Sequence, residues 1–148
     1  MAFHFPLQAV LRFRQSVEHQ QELRLRAANQ QVGKVRHLIG QLEAATRESR
    51  ALQLRRLESG MSGAEMRFQL MCEAVVEQHQ RSLEQELVRL GKLRDEQLAL
   101  YQQVRRQHET LKGLRDRQLR LYQKEAARKE QRRMDDFFVL RQQYARRG

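Results

Sequence analysis

One cluster of glycine and serine residues interrupts this chain, and it constrains the fold more than any other feature. Residues 59–63 read Ser-Gly-Met-Ser-Gly, and the only proline among 148 residues is Pro6. Glycine and proline are the residues that most strongly break helices. Because no comparable cluster occurs elsewhere, the sequence predicts two very long helices joined by a single turn.

The cluster carries the signals that end one helix and begin another. Gly60 suits the left-handed conformation that follows a helix C-terminus, because it has no Cβ atom. Ser62 and Glu65 have the spacing of a capping box, in which each side chain accepts a hydrogen bond from the other residue's amide. Pro6 suits a first helical turn. We therefore predict a first helix over about 6–58, a turn at 59–63 and a second helix over about 63–146.

Apolar residues recur at alternating spacings of three and four along both predicted helices. Such a narrow stripe is typical of a coiled coil, and a charged content of 32% agrees with it. The predicted fold is all-α, a single coiled-coil domain over 1–148 in which two long helices form an antiparallel hairpin. The stripe residues are Leu25, Ala28, Val32, Val35, Ile39 and Leu42 in the first helix and Leu83, Leu87, Leu90, Leu93, Leu100, Val104, Leu111, Leu114 and Leu121 in the second.

The second predicted helix is longer than the first. A turn centred near residue 61 places residue 3 opposite roughly residue 119, which leaves residues 120–148 overhanging without an intramolecular partner. At about 1.5 Å per residue, this overhang is about 40 Å long. Because an isolated helix of that length is only marginally stable in water, we expect the overhang to dock on another molecule.

Positive charge is concentrated at the end of the hairpin that holds both termini. The net charge is +11, and residues 120–148 carry nine basic and four acidic side chains. Positive patches often bind nucleic acid. Here acidic residues interleave with the arginines, which argues against nucleic acid as the partner. A dimeric coiled coil whose basic ends grip DNA remains an alternative.

Aromatic and apolar residues recur at helical spacing in the same overhang, beside arginines. Protein interfaces favour aromatic and arginine anchors, so we predict a partner-binding surface here. Phe3 and Phe5 are expected near the start of the overhang, and the alternative is that such residues only close the open end of the hairpin. The predicted surface comprises Phe3, Phe5, Arg128, Arg132, Arg133, Phe137, Leu140, Arg141 and Tyr144.

No catalytic, metal-binding or cofactor-binding chemistry is predicted. The five histidines are scattered without an i, i+4 pair, and no phosphate-binding loop is present. No apolar run approaches the roughly 20 residues that span a bilayer, and no secretory signal is recognisable. Cys72 alone cannot form an internal disulfide. We expect a cytoplasmic protein that is not an enzyme, uses no cofactor and does not insert into a membrane.

Two motifs resemble the flagellar FliJ family. Residues 3–7, Phe-His-Phe-Pro-Leu, are similar to the start of that family, with Arg14 and Glu18 at helical intervals after them. Residues 128–136, Arg-Lys-Glu-Gln-Arg-Arg-Met-Asp-Asp, are similar to a basic run that closes on an acidic pair. The resemblance covers the whole length, including the single turn. It adds Asp135 and Asp136 to the predicted partner-binding residues.

The resemblance implies a component of the flagellar type III export apparatus. Members of the family are similar to the central stalk of rotary ATP synthases, and their paired-terminus end inserts into a hexameric export ATPase. They also contact the cytoplasmic domain of the membrane export gate, and export chaperones, during flagellum assembly. This implies a cytoplasmic protein peripherally associated with the inner membrane. The stalk protein of a virulence-type III injectisome is the alternative.

Overall fold

The chain folds into two long helices in a computed structural model that describes residues 2–148. Helix α1 spans Gln8–Ser59 and helix α2 spans Gly63–Arg147, and the described residues contain no strand. The helices pack against each other as a helical hairpin. The predicted all-α fold class is therefore confirmed.

Helix α1 begins two residues after the start that the proline predicted. Residues 6–7 form a turn in which the Gln8 amide donates to the Phe5 carbonyl at 3.1 Å. The Leu11 amide then donates to the Leu7 carbonyl at 2.9 Å. Proline lacks an amide hydrogen and has a fixed φ, so it suits this turn as well as it would suit a first helical position.

The connection between the helices is short and is capped on both sides. Gly60 has a φ of 96°, the left-handed region that glycine enters without a steric penalty. The Ser62 hydroxyl accepts a hydrogen bond from the Glu65 amide at 3.2 Å, and the Ser62 carbonyl accepts one from the Met66 amide at 3.1 Å. Within residues 2–148 the Glu65 carboxylate makes no return bond to Ser62. In the described residues, the predicted capping box is thus only half formed.

Contacts divide the chain into two compact units. Unit 1 combines the residues up to Glu18 with Gln103–Gly148, and unit 2 is His19–Gln102. Each unit contains a segment of α1 and a segment of α2. The core of unit 1 includes Phe5 and Leu11, and the core of unit 2 includes Val32 and Val35; each of the four side chains is less than a tenth exposed. These small cores leave most of both helices in contact with solvent.

The inward-facing positions follow the predicted stripe in α1 but depart from it in α2. The stripe residues of α1 are all buried or half-buried. In α2, Leu93, Leu100 and Leu121 are 42%, 44% and 61% exposed. Neighbouring helix positions point about 100° apart, so a small drift of the stripe turns an adjacent polar residue inward. Half-buried positions outside the predicted stripe include Arg94, Tyr101, His108, Arg115 and Tyr122.

Polar contacts consequently join the two helical segments of unit 1. Arg14 Nη1 donates to Gln107 Oε1 at 2.6 Å. His108 Nδ1 and Glu18 Oε2 form an ion pair when the imidazole is protonated, and these side chains are only 16% and 20% exposed. A charged or polar layer inside a helical pair specifies its register. These two contacts therefore fix which turns of α1 and α2 lie side by side.

An aromatic pair ends the paired part of unit 1. The Phe3 and Tyr122 ring centroids are 5.6 Å apart. The sequence placed residue 3 opposite roughly residue 119. Residues 2–5 are not helical, and an extended chain covers up to about 3.3 Å per residue against 1.5 Å in a helix. Phe3 therefore reaches further along α2 than a helical count predicts.

Candidate functional site

The last 26 residues of the chain form the most exposed part of unit 1. Every residue from 123 to 148 is exposed, although α2 continues to Arg147. We call residues 123–148 the tail. The sequence placed the start of the overhang at residue 120; the structure moves it to 123, because Tyr122 is half-buried against Phe3. Within residues 2–148, no other helix covers the apolar side of the tail.

One side of the tail carries a contiguous aromatic and aliphatic surface. Phe137 is 71% exposed, Leu140 53% and Tyr144 79%, and together with Arg141 they line a shallow pocket. Their spacing of three and four places them on one helix face. Large apolar side chains in this pattern cost free energy in water, which is typical of a surface that becomes buried on binding.

Arginines with and without an acidic partner both occur along α2. Arg81, Arg89 and Arg105 pair with glutamates one turn away on α2. The hydrogen bond that Arg89 donates lowers the pKa of the Glu86 carboxyl below its usual range. In contrast, four tail arginines form no ion pair with any other described residue, so their guanidinium groups remain available to a partner. These are Arg128, Arg132, Arg133 and Arg141.

The two tail aspartates lie between Arg133 and Phe137 in the sequence. Asp135 Oδ1 accepts a hydrogen bond from Gln131 Nε2 at 3.1 Å, one turn earlier on the helix. Asp136 is exposed and directly precedes Phe137. Negative groups beside the arginines lower the attraction of the tail for a uniform polyanion such as DNA, and leave it suited to a partner of mixed charge.

The two N-terminal phenylalanines lie in the paired part of unit 1, not on the exposed surface. Phe5 is 4% exposed and belongs to the core, so the prediction that it faces a partner is wrong. Phe3 is half-buried against Tyr122. Both residues close the open end of the helical pair, which was the alternative interpretation of the sequence. The position of the chain's start beside α2 decides this burial, and no local pattern reports it.

A second exposed apolar surface lies in unit 2 and was missed by the sequence analysis. Phe68, Met71 and Val75 are 70%, 69% and 68% exposed, and they recur at i, i+3 and i+7 on α2. Their neighbours Gln69 and Glu73 are half-buried instead. We call Phe68, Met71 and Val75 the turn stripe. The detectable signal was the three-four spacing of these apolar residues, which begins before the predicted stripe of α2.

A sequence model described as "Flagellar FliJ protein" matches residues 3–148, which is essentially the whole chain. The chain belongs to the FliJ family. No curated protein and no solved structure matches the chain. The family match spans the opening residues, both helices and the tail, so the tail is part of the FliJ architecture and not an appended segment.

Membership in the FliJ family connects the chain with flagellar protein export. FliJ proteins are non-catalytic components of that system. In residues 2–148, no group of three or more His, Cys, Asp or Glu side chains could hold a metal ion. None of the described helices has a segment long and apolar enough to cross a bilayer. The tail and the turn stripe are the candidate functional sites of this FliJ chain.

Proposed function

We propose that this FliJ family member binds the hexameric export ATPase through its tail and links that ATPase to the export gate and to export chaperones during flagellum assembly. The observation that carries the proposal is the exposure of residues 123–148, where an aromatic face lies beside four unpaired arginines. A helix end of this kind suits insertion between the subunits of a ring, since it can be surrounded on all sides.

The chemistry of the tail predicts which groups the ATPase surface contains. Guanidinium groups bind carboxylates with two parallel hydrogen bonds, so Arg132 and Arg133 would pair with acidic side chains of the ring. Phe137 and Tyr144 would enter apolar pockets between those carboxylates. Buried aromatic anchors of this type each contribute about 2 kcal/mol or more to the stability of an interface.

The turn stripe supplies a separate surface for a second partner. Phe68, Met71 and Val75 belong to unit 2 and carry no charge, whereas the tail belongs to unit 1 and is basic. Two surfaces of different chemistry suit two different partners. We assign the turn stripe to the cytoplasmic domain of the export gate or to export chaperones, which would place the protein peripherally at the inner membrane.

Truncation after Tyr122 tests the assignment of the tail. The shortened chain retains Phe3, Phe5 and the contacts that they make with α2, so circular dichroism should show a folded helical protein. We expect it to lose stimulation of ATP hydrolysis by the export ATPase and to keep binding to the gate domain or chaperones. Unchanged stimulation would refute the proposed role of the tail.

Binding to duplex DNA is measured in parallel for the full and the truncated chain, over a series of salt concentrations. Tight binding of the full chain with a steep salt dependence, together with weak ATPase binding, would favour the DNA-binding alternative. If the truncated chain stays helical but loses binding to the ATPase, the gate domain and the chaperones equally, the tail is not selective for the ATPase.

A further inference from the structure

A groove runs along one side of the paired part of unit 1. Its floor is formed by Val10 of α1 and by Leu111 and Leu114 of α2. Val10 is 42% exposed, and the two leucines are half-buried. Beyond the lining residues, Leu7 and Leu121 are 40% and 61% exposed. The groove is therefore an open apolar channel and not a closed cavity.

Three arginines border the apolar floor. Arg14 lies on the α1 side, and Arg106 and Arg117 lie on the α2 side; no acidic residue lines the groove. The Arg14 guanidinium donates to the neutral Gln107 amide, and Arg117 Nε donates to the Gly113 carbonyl at 3.4 Å. Neutral acceptors orient a guanidinium group without cancelling its charge. The groove thus combines an uncharged floor with uncompensated positive margins.

We propose that this groove binds an amphipathic helix of a partner protein whose apolar face is flanked by carboxylates. The apolar floor would receive leucine-like side chains at the three-four spacing of a helix. Arg106 and Arg117 are eleven residues apart, which is about three helical turns or about 16 Å along α2. Carboxylates three turns apart on the partner helix would face both arginines at once.

The chemistry favours this occupant over a polyanion. Nucleic acid would pair with the arginines but would leave the floor of Val10, Leu111 and Leu114 without an apolar partner. An uncharged apolar helix would cover the floor and would bury the arginine margins without counter-charges, which is costly. Only a partner that is both acidic and apolar satisfies the two parts of the groove together.

This groove is a different site from the tail. Its lining residues end at Arg117, and the tail begins at residue 123. The inference does not depend on binding of the export ATPase, and substitutions in the tail leave every lining residue unchanged. Failure of one proposal therefore does not imply failure of the other.

Two synthetic helical peptides of about 18 residues test the groove on the full, unaltered chain. Both carry leucines at heptad a and d positions; one has glutamates and the other lysines at the flanking positions. We expect the glutamate peptide to bind at least about tenfold more tightly in calorimetry, and to shift the NMR signals of Val10, Thr110 and Leu114. Equal affinity of the two peptides, or shifts confined to the tail or the turn stripe, would overturn the proposal.

Charge reversal then locates the site. The double variant Arg106→Glu with Arg117→Glu should bind the glutamate peptide at least about tenfold more weakly. Arg12→Glu with Arg120→Glu is the matched control, because both arginines are exposed residues of unit 1 outside the groove and the change in net charge is the same; it should bind as the unaltered chain does. Unchanged binding by the double variant, or an equal loss in the control, would show that the groove is not the site.

Discussion

Phe5 and Phe137 are the same type of residue in opposite environments. Phe5 is 4% exposed in the core of unit 1, and Phe137 is 71% exposed on the tail. Burial of an aromatic ring removes apolar surface from water, so Phe5 stabilises the fold. Exposure of Phe137 costs free energy in the isolated chain, and a partner that covers the ring recovers it. One residue is therefore structural and the other is available for binding.

Alanine substitutions separate these two roles. Phe5→Ala should lower the free energy of unfolding by about 3–5 kcal/mol, because it leaves a cavity in a small core. Phe137→Ala should change it by less than about 0.5 kcal/mol but weaken association with the export ATPase about 30-fold. Urea denaturation followed by circular dichroism and an ATPase binding titration measure the two effects. The reverse pattern would mean that the aromatic residues were assigned the wrong roles.

Glu18 and His108 form a polar contact that also has a structural role. Both side chains are mostly buried, and the pair joins α1 to α2 within unit 1. Glu18→Ala should lower the free energy of unfolding by about 1–3 kcal/mol, because the imidazole then lacks its partner. Glu109→Ala is the control, since that carboxylate is 57% exposed and pairs with Arg105 on its own helix. It should cost less than about 1 kcal/mol, and equal losses would contradict the structural role of Glu18.

At the scale of elements, the boundary between α1 and α2 depends on backbone geometry and one hydroxyl group. Gly60 takes the left-handed conformation, and the Ser62 hydroxyl satisfies an amide at the start of α2. The first turn of α2 contains Glu65, whose negative charge interacts favourably with the helix N-terminus but forms no capping bond in the described residues. The hydroxyl group therefore makes the larger contribution.

Single substitutions distinguish these contributions. Ser62→Ala should lower the free energy of unfolding by about 1 kcal/mol, because the Glu65 amide loses its acceptor. Glu65→Ala should lower it by only about 0.3–0.5 kcal/mol, through the lost interaction with the helix dipole. Thermal denaturation of both variants in parallel checks the difference. A larger effect of Glu65→Ala would show that the complete capping box forms in solution.

At the scale of the whole molecule, positive charge is in excess, and only part of it is paired with acidic side chains. The net charge is +11. Glutamates pair with Arg26, Arg81, Arg89 and Arg105 on the helices, whereas the arginines of the tail form no such pair within residues 2–148. An excess of unpaired positive charge attracts acidic partners over long distances and accelerates association.

Charge reversal in the tail should therefore weaken binding to the export ATPase. Arg132→Glu with Arg133→Glu should weaken the association at least about tenfold at low salt, and the difference should shrink as salt screens the charges. Arg55→Glu with Arg56→Glu makes the same change in net charge at two adjacent exposed arginines far along the sequence. This control should retain most of the binding. An equal loss in both variants would show that only net charge matters.

The sequence alone was sufficient for the features that are encoded locally. The Ser-Gly-Met-Ser-Gly cluster determined where α1 ends and α2 begins, because glycine geometry and hydroxyl capping act within a few residues. The three-four spacing of apolar residues determined the all-α class and the inward face of α1. Residues 3–7 and 128–136 were sufficient for the resemblance to the FliJ family, which the match over residues 3–148 confirms.

Only the tertiary structure decided which of several similar residues face inward. Leu93, Leu100 and Leu121 are exposed while the adjacent Arg94, Tyr101 and Tyr122 are half-buried, because the angular position of the stripe depends on where the other helix lies. Phe5 is buried and Phe137 is exposed because the paired part of unit 1 ends where Phe3, which precedes α1, contacts Tyr122. Local sequence specifies which residues form a helix, but the partner segment determines which side of that helix is covered.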